Sequence, residues 1–106
     1  MHPDPTHIRT AQQGDAVART LGRCNCCLLR AHGSVVAANS VAEVFLDSLE
    51  MEENARSTVH VASLGPLKPI TAAEAELLKV SFARNDFRVA KTWAHYREKA
   101  RLAGFL

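Results

Sequence analysis

Two short segments of this chain have the character of β-strands, and they stand on either side of a three-residue turn. Residues 26–30, CCLLR, form a compact apolar run of strand length, and residues 34–38 follow with Val35 and Val36 as their β-branched centre. Between them Ala31-His32-Gly33 reads as the turn, so the two strands are expected to pair as a hairpin. A two-stranded ribbon is marginal at best in water and needs a third strand or a helical cover. Its outer edges carry unpaired N–H and C=O groups that invite further pairing. The rest of the chain therefore has to cover the hairpin, or the hairpin has to be completed by something else.

What remains reads as helix. The first ten residues, with Pro3 and Pro5, form an irregular lead-in. Gly14 and Asp15 then open a short helix over 16–21, stopped by Gly22. Ser40-Val41-Ala42-Glu43 is a capping box, in which Ser40 caps the Glu43 N–H and the Glu43 carboxylate reaches back. Such a cap is worth about 1 kcal/mol. The helix it opens is expected to run to residue 64, where Gly65-Pro66 stops it. A second box, Thr71-Ala72-Ala73-Glu74, follows Pro69. From there Ala75, Leu78, Phe82, Val89, Trp93, Tyr96 and Ala100 keep helical spacing as far as Gly104, with Asn85-Asp86 as a point of interruption. The fold class is α/β, a short β-hairpin followed by two long helices, and residues 1–106 are read as a single unit of domain size.

Charge and cysteine usage narrow the function classes. Lys plus Arg is 13 and Asp plus Glu is 11, and the arginines are spread along the chain, so the clustered basic face of a nucleic-acid binder is missing. No apolar run approaches the roughly 18 residues of a membrane span, and the polar start MHPDPTHIRT has no signal core. Three cysteines crowded at 24, 26 and 27 make a poor disulfide framework, which favours a reducing, cytoplasmic compartment. Cys26 and Cys27 are neighbours on a strand and point to opposite faces, so they cannot easily share one metal ion. They are better read as small apolar residues.

The segments HIRTAQQGDAVARTLG (7–22), LLRAHGSVV (28–36), SVAEVFLDSLEMEENAR (40–56) and ASLGPLKPITAAEAE (62–76) resemble, in order and spacing, the class II aldolase/adducin family. LLRAHG followed by the SVAE helix start is the most specific part, and the EENAR segment with its LGP turn is closest in character to the decarboxylase-like branch. The resemblance implies the C-terminal portion of that family's domain, a partial α/β/α layered domain. It also implies a metal-dependent lyase, cleaving a C–C bond by retro-aldol reaction or decarboxylation through a metal-stabilised enediolate or carbanion. In such proteins three histidines hold a divalent cation, usually zinc, with manganese or cobalt as alternatives; two come from a His-x-His pair and one from the HG turn. His32 occupies the turn position. The substrates implied are small carbonyl compounds or carboxylic acids, and the assembly implied is a homo-oligomer, tetrameric in relatives.

The local chemistry agrees with that role. Imidazole is a good ligand for zinc or manganese, and Gly33 removes a side chain where the backbone must bend or a ligand approach. The departures are equally specific. The sequence contains no His-x-His, none of Glu43, Glu50, Glu52 or Glu53 matches the family's acid/base glutamate, and Ala38 or Asn39 stands where a glycine is usual after the second strand. His2, His7, His60 and His95 form no recognisable set, and His60 is expected on a helix surface. With one ligand of the usual three, the chain alone is expected neither to bind metal tightly nor to turn over substrate unless the missing ligands are supplied, as a truncated, fragmentary or split form. The rival readings are a non-catalytic, adducin-like interaction module and a helical-hairpin assembly piece. Trp93 and Tyr96, at i and i+3, are expected to pack on the preceding helix. Glu50, Glu52 and Glu53 read as a solvated face, with Arg56 placed to pair with Glu52.

Overall fold

The computed structural model describes residues 1–81 and 86–106. In chain order its elements are α1 (Ala11–Leu21), β1 (Cys26–Leu29), β2 (Gly33–Val36), α2 (Val41–Ala62), α3 (Ala72–Ser81) and α4 (Asp86–Leu102). This is a mixed α/β chain in which a short antiparallel hairpin is followed by helix. The contacts divide it into two compact units, Met1–Ser48 and Leu49–Leu106, with α2 running across the division. Among the described residues no helix is long and apolar enough to cross a membrane.

In the first unit the two strands pair as expected, with Cys26 opposite Val36, Cys27 opposite Val35, Leu28 opposite Ser34 and Leu29 opposite Gly33. They are shorter than their apolar runs suggest. Arg30 belongs to the turn, and the Ala37 N–H bonds the Asn25 carbonyl at 2.9 Å, closing the ribbon just beyond the ladder. On β1, Cys27 is buried while its neighbour Cys26 is exposed, as the strand alternation requires; Cys24, which precedes the strand, is exposed as well.

The lead-in is more than irregular chain. His2 makes a parallel bridge to Leu29: its N–H donates to the Leu28 carbonyl at 2.8 Å, and its own carbonyl accepts from the Arg30 N–H at 3.1 Å. The His2 ring is buried, with Nδ1 3.2 Å from the Thr20 hydroxyl. One edge of β1 thus receives a rudimentary third strand, and α1 packs against the same strand. Part of the cover that the hairpin needs comes from the residues that precede it.

Helix α1 begins at Ala11, five residues before the start expected at residue 16. Thr10 forms a capping box with Gln13: the Gln13 N–H bonds the Thr10 hydroxyl, and the Gln13 carboxamide oxygen accepts from the Thr10 N–H at 3.1 Å. That reciprocal pair outweighs the cost of placing Gly14 inside the helix, which is about 1 kcal/mol relative to alanine. Gly22, at φ 58°, ends the helix as expected.

The other caps follow the same chemistry. At α2 the Glu43 N–H bonds the Ser40 hydroxyl at 3.2 Å, but the Glu43 carboxylate reaches one residue further back than expected, to the Asn39 N–H at 3.0 Å. At α3 the box is complete: Thr71 Oγ1 accepts from the Glu74 N–H at 3.3 Å, and the Glu74 carboxylate accepts from the Thr71 N–H at 2.7 Å. The Thr71 N–H and the Thr71 hydroxyl, which donates to the same carboxylate at 2.8 Å, hold the Glu74 carboxyl below the ordinary carboxylate range. The second helical stretch is described as α3 and α4; Phe82 and Asn85, part of the expected periodicity and of its interruption, lie outside the described residues. At its end Gly104 has φ 77° and the Phe105 N–H bonds the Ala100 carbonyl at 2.9 Å, a Schellman closure.

In the second unit Glu50 is not part of a solvated face. It is half-buried and forms an ion pair with Arg88, tying α2 to α4. Glu52 does pair with Arg56, at 2.5 Å on an exposed helix surface, where such a bond contributes only a few tenths of a kcal/mol. His60 is exposed, as expected. Lys99 lies 5.6 Å from the centre of the Tyr96 ring, within cation–π range.

The core is thin. Among the described residues the buried apolar side chains are Val17, Cys27 and Leu46 in the first unit and Val89 in the second. Large apolar side chains including Leu28, Val59, Leu77, Phe87, Leu102 and Phe105 are exposed. That is a small buried set for a chain of 106 residues.

Candidate metal-ligand site at the hairpin turn

The hairpin turn carries His32 out of the ribbon. The turn is closed by the His32 N–H on the Leu29 carbonyl at 3.2 Å. Ala31 adopts φ 64°, a conformation that costs a non-glycine residue about 1–2 kcal/mol. Gly33 follows at φ 134°, and a Cβ built there meets nothing within 4 Å. The backbone conformation, not lack of room, is what calls for glycine at position 33. Positive φ on either side of His32, at Ala31 and Gly33, makes the tight bend at whose tip the His32 side chain stands, and His32 is exposed rather than packed in hydrocarbon.

The lead-in comes back over this turn. The His32 Nε2 lies 2.7 Å from the Pro5 carbonyl oxygen. A carbonyl can only accept, so Nε2 carries the proton and donates it, and in the neutral ring the lone pair sits on Nδ1. A ring N–H tied to a backbone carbonyl is the usual support for a metal-ligating histidine, because it fixes both tautomer and orientation.

Beside it stands His7, with ring centroids 4.7 Å apart and planes inclined at 45°. His7 is held in place by its neighbours. The Asp4 carboxylate accepts from the Thr6 N–H at 2.9 Å and from the Thr6 hydroxyl at 2.7 Å, turning the chain just before it. These same bonds hold the Asp4 carboxyl below its ordinary range. Just after it, the Gln13 carboxamide oxygen accepts from the Arg9 N–H at 2.8 Å, while its NH₂ group donates to Thr6 Oγ1 at 3.1 Å. The result is an open cleft of about 580 Å³ lined by Pro5, Thr6, His7, Arg9, Thr10, Gln13 and His32.

The donor set fits a divalent ion of zinc type in part. It offers two imidazoles at one cleft, and among the described residues there is no group of three His, Cys, Asp or Glu side chains. His60 and His95 lie in the second unit, on α2 and α4, and His2 is committed to Thr20. The association of His7 with His32 has no signal in sequence spacing, since 24 residues separate them and no ligand motif links them. The local signal that bears on His7 is the Thr10-x-x-Gln13 box, which fixes where the lead-in ends.

A family model described as the class II aldolase and adducin N-terminal domain matches residues 2–59. The match takes in α1, the hairpin, His7, His32 and nearly all of α2. No curated protein matches the chain, and no solved structure does.

Proposed function

The chain belongs to the class II aldolase and adducin family, and on that premise we propose that it is a metal-dependent lyase-type domain, inactive alone, in which His32 is a ligand to a divalent cation. The observation that carries the proposal is the turn itself: an exposed imidazole beside a cleft, at the family's HG position, with Nε2–H held by the Pro5 carbonyl. A bound zinc, manganese or cobalt ion would supply Lewis acidity toward an oxygen of a small carbonyl or carboxylic acid substrate, as aldol cleavage or decarboxylation needs. What this chain contributes is narrower. It presents one oriented imidazole, and through Arg9 it places a positive charge among the cleft-lining residues.

We further propose that residues 1–106 are the C-terminal portion of a layered α/β/α domain and that the chain works as a homo-oligomer in the cytoplasm. The exposed apolar side chains and the two-stranded hairpin support assembly, and the three free cysteines suit a reducing compartment. A second reading, a non-catalytic interaction module of adducin type, is favoured by one specific observation: no group of three potential ligands occurs among the described residues.

Metal analysis separates the two readings. Dialysed to equilibrium against zinc, the purified chain is expected to take up more metal than its His32→Ala variant. Equal metal content in the two proteins would leave the interaction module as the better reading.

A further inference from the structure

We propose that His7 is the second imidazole of the His32 site, so that the two rings together hold one divalent transition-metal ion from within a single chain. This rests on the reading of His32 as a ligand and adds a residue that no motif assigns.

The ring spacing carries the inference. With metal–nitrogen bonds of about 2.0–2.1 Å and a ring nitrogen about 1.1 Å from its ring centre, each centroid lies about 3.2 Å from a shared ion. At inter-ligand angles between octahedral and tetrahedral, the two centroids then stand about 4.5–5.2 Å apart. The observed separation is 4.7 Å, and the 45° tilt is neither a stack nor a perpendicular edge contact.

Three further features agree. Both rings are exposed and line the same cleft, so an ion can reach them. The Pro5 carbonyl leaves Nδ1 of His32 as the coordinating nitrogen. Bonds on either side of His7, from the Thr6 N–H to the Asp4 carboxylate and from the Arg9 N–H to the Gln13 carboxamide oxygen, orient the segment before any ion arrives. Arg9 opposes a bare cation, which favours an anionic oxygen ligand in one of the positions that two imidazoles leave open.

The test is calorimetric titration of zinc chloride into the full chain and its His7→Ala, His32→Ala and His7→Ala/His32→Ala variants. His60→Ala, on the exposed face of α2, serves as the control. One ion per chain is expected for the unaltered protein, with affinity at least tenfold weaker in each single variant and unchanged in the control. The double variant is expected to show no binding at this site, because each single variant still keeps one imidazole and the double keeps neither. His7→Gln, which keeps much of the size without the ring, should behave as His7→Ala if ligation rather than packing is lost. Unaltered binding in His7→Ala alongside lost binding in His32→Ala would overturn the role of His7 and leave His32 as a ligand. Unaltered binding in both would remove the His32 reading as well, and one ion per two chains would exclude an intrachain pair.

Discussion

Leu46→Ala is expected to unfold much of the first unit. Leu46 is 5% exposed, the lowest value among the buried apolar residues described, and sits on α2 shortly after its cap. Truncating a buried leucine to alanine costs about 2–5 kcal/mol, through lost transfer energy and the cavity left behind. Small domains hold about 0.05–0.15 kcal/mol of stability per residue. Where so few apolar side chains are buried, that loss is of the order of the whole margin. Circular dichroism during thermal or urea unfolding should show a midpoint far below that of the unaltered chain, or no cooperative transition. Leu102→Ala is the comparison: at 72% exposure on α4 its effect should stay within about 0.5 kcal/mol. Equal midpoints for the two variants would mean that Leu46 lies in no stabilising core.

Deletion of residues 1–5 is expected to have the second large effect, on both structure and metal affinity. It removes the His2 N–H bond to Leu28, the Arg30 N–H bond to His2, and the buried His2 ring beside Thr20. Each backbone bond contributes about 0.5–1.5 kcal/mol net, and an amide left without its partner loses that protection. Hydrogen exchange at Arg30 should be slow in the intact chain, where its N–H bonds the His2 carbonyl, and fast after the deletion. The same deletion removes the Pro5 carbonyl from His32, and loss of an outer partner of this kind typically costs about 10–100-fold in metal affinity. Zinc affinity should fall by that order even though both histidines remain. Undiminished affinity would show that the carbonyl does not orient the ligand.

The sequence disclosed those parts of the fold that depend on near neighbours. The hairpin follows from two apolar runs around Ala31-His32-Gly33, and the Thr71 box and the Gly22 and Gly104 stops follow from short-range chemistry between residues a few positions apart. The start of α1 lies before the boundary that Gly14 suggests, because the Thr10–Gln13 box, which begins four residues earlier, is energetically stronger. The Glu50–Arg88 pair was not legible, because it depends on how α2 and α4 meet within the second unit and not on spacing along one helix.

The site divides in the same way. His32 is legible because the turn that exposes it is encoded by adjacent residues. His7 is not, because its position depends on the lead-in doubling back through the His2 bridge and the Pro5 carbonyl, contacts between residues more than 20 positions apart. Proline-rich polar segments carry no periodicity from which such docking can be read. Functional neighbours that meet in this way become visible only with the tertiary contacts in hand.

Long-range proton–nitrogen correlation spectra of the histidine rings, recorded with and without zinc, test the ligand role of His32 most directly. In the metal-free chain the neutral His32 ring should appear as the Nε2–H tautomer, and saturating zinc should displace its Nδ1 resonance. A proton on Nδ1, or a His32 ring that zinc leaves unmoved at saturation, would contradict it.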